Sequence, residues 1–275
     1  METTDNSFIV EKTQDIRDSA LQKVDRYWDE VEKMPVPETI PDLDLNEFPE
    51  NHRIEMFNIA RDAWEETYDP ESLILKLRDS QGSSEERKDF KDLRKHGLIL
   101  RAAYRALDGR HLAPQKHWLF LKLLGELNDT YYSPRIEESK ERLAEFVEEQ
   151  YPSLDGLDFF PATDKSFQDN YNKDLDVVDN FNSKTNLPAR DFHSMRKLLR
   201  NCMNTFRLSG TLTQDLQMTQ RARYMQDLNE TLGTKQDQLV QQDLYGELAY
   251  GDAIVVVPLD VRSKVDRFVQ SNRKS

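Results

Sequence analysis

Two stretches of the chain, 102 residues apart, repeat one amphipathic pattern. Phe90, Leu93, Arg94, Lys95, Tyr104 and Arg105 align without gaps on Phe192, Met195, Arg196, Lys197, Phe206 and Arg207; four pairs are identical and two are close substitutions. A second element follows in the same order. Leu124, Gly125 and Asp129 correspond to Leu232, Gly233 and Asp237, at an offset of 108. With about 3.6 residues per helical turn, Lys91, Arg94, Leu98, Arg101 and Arg105 share one face. Their equivalents are His193, Arg196, Arg200, Met203 and Arg207. About a third of a turn away lies an apolar face: Phe90, Leu93, Leu100, Tyr104 and Leu107 in one copy, Phe192, Met195, Leu199, Cys202 and Phe206 in the other. Each copy is therefore a core helix that carries a row of cations along its edge. The repeat predicts an all-α helical bundle of two pseudo-repeated multi-helix halves.

Apolar residues spaced three and four apart predict the other helices. They fall at about 10–34, 52–68, a short one after Pro70, 86–107, from Pro114 to 128, from Pro134 to 149, 189–208, 212–232, 235–248 and 261–272. Pro35 and Pro37 stop the first helix, because proline cannot continue one. The Pro-rich, acidic stretch 35–51 reads as a linker or surface loop. Residues 81–85 form a turn in which Ser84 is placed to cap the helix that follows, with Glu86 nearby. Residues 151–188, rich in Asp, Asn, Phe and Pro, are either an ordered excursion that packs its aromatics or a link. The apolar run 253–259 is the sole β-like stretch, read as a buried extended segment or helix lead-in rather than part of a sheet. The chain thus divides into a first helical half with an N-terminal helix and acidic linker (1–150), the 151–190 segment, and a second half (191–275), the halves forming one compact domain.

Charge is unevenly placed. The net charge is −13, yet the window 90–122 carries +6 and the window 192–223 carries +5, leaving −24 on the remainder. Four of the five histidines, His96, His111, His117 and His193, also fall in these windows. Cations gathered inside an acidic chain point to an anion site or to pairing with acidic helices. The overall sign argues against nonspecific DNA binding. No stretch approaches the roughly 18 apolar residues of a membrane span, and the first residues lack the regions of a secretory signal, so a cytoplasmic protein is expected.

The pattern H-x-x-R-[KR]-x-x-R, here His193, Arg196, Lys197 and Arg200, is followed by L-G-x-x-x-D, here Leu232, Gly233 and Asp237. These motifs resemble the CHAD family, the conserved-histidine α-helical domain. The resemblance spans about residues 15–248, with its motifs in four short stretches. The first copy carries Lys91 in place of the histidine and Leu98 in place of a cation. The resemblance implies two related four-helix halves with a basic surface or cavity between them. That cavity would take inorganic polyphosphate or a similar polyanion. The ligand-binding residues are then expected to be Lys91, Arg94, Lys95, Arg101, Arg105, His193, Arg196, Lys197, Arg200 and Arg207. Arginine forks suit phosphate oxygens, and stacked cations make a track for a linear polyanion.

A different class of reading makes the chain a helical scaffold for a basic protein partner. Its cations would then pair internally with Glu137, Glu138, Glu141, Glu145, Glu148 and Glu149. His193 is either a phosphate ligand that binds better when protonated or a locally hydrogen-bonded helix-start histidine. Gly125 and Gly233 mark a close helix crossing or a cap, and Asp129 and Asp237 a cap or an ion pair with the stripe. His111 and His117 have no carboxylate or cysteine at ligand spacing. Cys202 lies on the apolar face as an inert buried thiol. No phosphate-loop, dinucleotide-binding, zinc-protease or serine-hydrolase motif occurs, so neither a cofactor nor a catalytic residue is expected. A hydrolase of phosphate polymers would need a metal-binding carboxylate cluster that the sequence does not display.

Overall fold

The computed structural model describes residues 19–79, 83–153 and 157–273. Among them are ten α-helices: α1 (Ala20–Lys33), α2 (Glu50–Thr67), α3 (Pro70–Asp79), α4 (Ser84–Leu107), α5 (Gln115–Thr130), α6 (Ile136–Gln150), α7 (Asp164–Asn182), α8 (Ala189–Thr213), α9 (Leu216–Leu244) and α10 (Leu259–Asn272). The first expected helix starts at Ala20; its residues 10–18 lie outside the described residues. Helix starts are fixed by side chains that take up free backbone N–H groups. Ser19 with Gln22 opens α1 and Ser83 with Glu86 opens α4, each as a reciprocal capping box. The cap of α4 is thus Ser83, one residue before the serine that the sequence suggested. Thr163 and Asp215 cap α7 and α9.

α8 is the central post of the bundle. Every residue from Asn201 to Thr211 is buried, and α1, α2, α4, α7 and α9 all pack around it. Its hydroxyls turn back onto the helix: Thr205 donates to the Asn201 carbonyl at 3.0 Å and Thr211 to the Arg207 carbonyl at 2.8 Å. This satisfies polar groups that the core would otherwise leave unpaired. The buried apolar residues form one continuous core from Val24 to Val269.

Gly210 lets α1 approach α8. A Cβ there would lie 1.8 Å from the Tyr27 hydroxyl, which donates to Thr219 Oγ1 at 2.9 Å. Gly210→Ala must displace that ring and break the bond. The expected loss is about 2 kcal/mol after the gain in helix propensity, read as a lower denaturant midpoint. An unchanged midpoint would show that Tyr27 has room to move.

The structure decides one open reading of the sequence and corrects two expectations. The 151–188 segment is ordered where described and contains the 19-residue helix α7. It packs its aromatics, with Phe159 stacked on Phe57 at 3.7 Å. Buried Arg53 secures it by donating to the Ala162 carbonyl at 2.7 Å and to Asp164 at 2.8 Å. The expected helices at 212–232 and 235–248 are one helix, α9, because Gly233 sits inside a continuous helix rather than ending one. The apolar run does join a sheet: β2 (Ile254–Val256) pairs antiparallel with β1 (Asn186–Pro188), Leu187 opposite Val255.

Candidate functional site

α4 and α8 cross with their cationic faces together. Lys91, Arg94 and Lys95 of α4 line a cleft of about 310 Å³ with Arg200 and Arg207 of α8. Arg101 and Arg105 line a second cleft, about 520 Å³, with Lys197. The start of α4 thus meets the end of α8 and the reverse, so the two helices run antiparallel. All ten residues read from the sequence belong to these two helices; eight of them fall into two groups, with Lys91 and His193 at the edge.

The first group is held by partners within the fold. Lys95 Nζ lies 2.9 Å from Asp25 and 4.7 Å from the Trp28 ring centre. Arg207 donates to Gln226 at 2.8 Å, and its guanidinium carbon lies 4.1 Å from the same ring centre. Arg105 forms a fork on Asp174, at 3.2 and 2.6 Å. These three dock α1, α9 and α7 onto the central pair.

The second group is Arg94, Arg101, Arg196, Lys197 and Arg200. Among the described residues none of them has an ion pair or a side-chain hydrogen bond. The α6 glutamates do not pair with them: Glu148 meets Arg78, and Glu137 meets Lys140. The buried Nε of Arg94 and that of Arg196 have no hydrogen-bond partner. Instead, the cations act on one another. Burial lowers the pKa of Arg200 to about 9, helped by Arg101, Arg196 and Arg94. Burial and the neighbouring Arg101, Arg200 and Arg94 lower that of Lys197. Burial also lowers Arg101, together with Arg94 and Arg105. At pH 7 Arg200 keeps its charge. Lys91 is exposed at the cleft mouth.

Gly125 and Gly233 are not caps, since each lies inside a helix; on each, a neighbouring helix rests an arginine. A Cβ on Gly125 would lie 3.1 Å from a terminal nitrogen of Arg94, and one on Gly233 would lie 2.9 Å from a terminal nitrogen of Arg196. Each guanidinium lies against a bare patch of helix. Asp129 lies within α5 and Asp237 within α9, so neither opens a following helix. Both act on Arg94 electrostatically, but neither makes an ion pair among the described residues.

His193 stands at the start of the α8 cluster. Its Nδ1 is buried without a partner. Burial, with Lys197, Arg200 and Arg196 close by, lowers its pKa to about 4; Gln236 alone acts the other way. It is therefore neutral at pH 7 in the free protein. His111 and His117, the two histidines weighed as metal ligands, have both ring nitrogens occupied. His117 is bound to the Tyr151 hydroxyl and the Gly97 carbonyl, each at 2.9 Å. His111 is bound to the Arg105 carbonyl and to Ser166. Among the described residues no three His, Cys, Asp or Glu side chains gather to hold a metal. The buried Cys202 thiol is pushed up to about 12 by burial.

Sequence reasoning missed the apolar wall of the second cleft: Leu112, Trp118, Val177 and Phe181. A signal existed for Trp118, which shares the polar face of α5 with Lys122 and Glu126 at four-residue spacing. Among the described residues no helix is long and apolar enough to cross a membrane. No family model matches the chain, and no curated protein or solved structure does either.

Proposed function

We propose that the α4–α8 crossing binds a phosphate-rich polyanion such as inorganic polyphosphate. In this reading the chain is a cytoplasmic, CHAD-like domain that holds its ligand and does not react with it. One observation carries the reading: five cations converge without an ion pair to any carboxylate among the described residues, two with an orphaned buried Nε. Desolvation and mutual repulsion both oppose that arrangement in the free protein. A ligand bearing several negative charges supplies the missing partners at once. Arginine donates in a planar fork that fits two phosphate oxygens, and four of the five groups are arginines. The like contacts of Arg94 on Gly125 and of Arg196 on Gly233 support two related halves that each contribute one anchored guanidinium. Lys95, Arg105 and Arg207, already paired, hold the frame; Lys91 and His193 border the ligand.

The test is thermal melting with and without long-chain polyphosphate. A ligand present at 100 to 1,000 times its Kd stabilises by about 2.7 to 4.1 kcal/mol. For a chain of this size that raises the melting temperature by about 5–16 °C. Five neutralised contacts at about 0.7 each predict a roughly hundredfold loss of affinity between 50 and 200 mM salt. No shift at low salt would remove the polyanion and turn attention to a protein partner.

A further inference from the structure

The two clefts at the crossing differ in chemistry. The Arg94–Arg200 cleft is lined by five cations and by Glu32, which lies 4.0 Å from Arg207, and its one indole, Trp28, is buried under Lys95 and Arg207. The Arg101–Lys197 cleft faces an apolar wall. Trp118 is 48% exposed there and Leu112 68%, whereas Trp28 and Trp64 are buried. The exposed half of the indole faces the same cleft as Arg101 and Lys197, neither of which has an ion pair among the described residues.

The lip that carries Leu112 is built to stay in place. Asp108 is fully buried and accepts from the Arg110 backbone N–H and from its Nε, both at 2.8 Å, and from the Phe160 N–H at 3.0 Å. His111 is held in the left-handed region, φ 52°, a conformation that non-glycine residues adopt at a cost. Its Nδ1 donates to the Arg105 carbonyl at 3.1 Å, and its Nε2 accepts from Ser166 at 2.8 Å. The wall and the cations therefore meet across a preformed cleft of about 520 Å³, within the range of about 300–1,000 Å³ typical of small-molecule sites.

We propose that this cleft takes a nucleoside polyphosphate, with its phosphates on Arg101 and Lys197 and its base against Trp118. The proposal rests on the polyanion reading and refines it: the physiological ligand of this side carries an aromatic ring as well as phosphates. A bare phosphate chain leaves the indole unused, while a base stacked on an aromatic side chain gains roughly five- to a hundredfold in affinity.

The experiment compares adenosine triphosphate with inorganic tripolyphosphate, in metal-free buffer at low salt, by calorimetry and tryptophan fluorescence on the full chain. Adenosine triphosphate is expected to bind at least about fivefold tighter and to quench the exposed Trp118. Trp118→Ala should abolish the difference and leave tripolyphosphate affinity unchanged, and Trp118→Phe should restore most of it. Equal affinities in the native protein, or a difference that survives Trp118→Ala, would overturn the nucleotide assignment and leave the polyanion reading standing. Binding of neither compound would overturn both.

Discussion

The Arg196→Glu, Arg200→Glu variant is expected to lose polyphosphate binding by at least about a hundredfold, and to melt at a higher temperature than the native protein. The first effect follows from charge-assisted hydrogen bonds worth about 1.5–3 kcal/mol each, two of which become repulsions. The slope of log affinity against log salt should also shrink by roughly 1.4, about 0.7 for each lost contact. The second effect follows from what surrounds these groups in the free protein. Arg200 is lowered to about 9 by burial and by three neighbouring arginines. Glutamate at 200 removes that repulsion and gives Arg94 and Arg101 a counter-charge, which outweighs the attraction of Asp237 that Arg196 gives up. Each kcal/mol relieved raises the melting temperature by about 2–4 °C. The opposite sign is expected at Arg105, whose fork on Asp174 is 13% exposed on the carboxylate side. Arg105→Gln should destabilise by about 1 kcal/mol and change affinity little. If the double variant is destabilised and still binds polyphosphate, the unpaired cations serve the frame and not a ligand.

Such a site sits oddly in a chain of net charge −13, and the combination has a physical use. An acidic exterior repels duplex DNA and other extended anions that cannot enter a cleft. Cations recessed between two helices remain accessible to a thin phosphate chain. On the proposed reading, stability is given up at the crossing in exchange for a site ready to receive charge, a trade-off common at binding sites.

The cationic faces of α4 and α8 were legible in the sequence because a helix writes its geometry at a fixed period. Lys91, Arg94, Arg101 and Arg105, with His193, Arg196, Arg200 and Arg207, could be grouped from spacing alone. Which of them are free could not. The partners of Lys95 and Arg105 are Asp25 and Asp174, about 70 residues distant in each case, and nothing local marks those pairs. The same limit hid the shape of α9. Gly233 costs a helix roughly 1 kcal/mol and so reads as a break, yet here it makes room for the Arg196 guanidinium. α7 was obscured for another reason. Its Asn and Asp residues favour turns locally, and only burial of Phe167, Tyr171, Leu175 and Val178 against the bundle overrides that preference. The β1–β2 pair joins segments about 70 residues apart, so its strands could not be recognised as partners from either one alone.

Stability is expected to fall steeply between pH 6.5 and pH 4, and His117 is the main cause. The imidazole is fully buried, with Nε2 donating to the Gly97 carbonyl and Nδ1 accepting from the Tyr151 hydroxyl. Burial lowers its pKa from 6.5 to about 4, and Arg101 adds to the effect. In the unfolded chain the same ring titrates near 6.5. Below that value the unfolded state takes up a proton that the native state refuses, so unfolding becomes easier as pH falls. The contribution of a neutral His117 is fully present above pH 6.5 and is lost progressively towards pH 4, amounting to about 3 kcal/mol. His193, also lowered to about 4, acts in the same direction but by less, because it is partly open to solvent. Against a total stability of about 5–15 kcal/mol, that is enough to bring the fold near its limit at pH 4. Denaturant titrations from pH 7.5 to 4 should show the loss, and bound polyphosphate should lessen the His193 share, since an anion beside that ring favours its protonated form. Stability that stays level down to pH 5 would mean that His117 accepts a proton in the native state. The Tyr151 and Gly97 contacts would then have to rearrange, and the ring would no longer be the fixed, neutral link between α4 and α5.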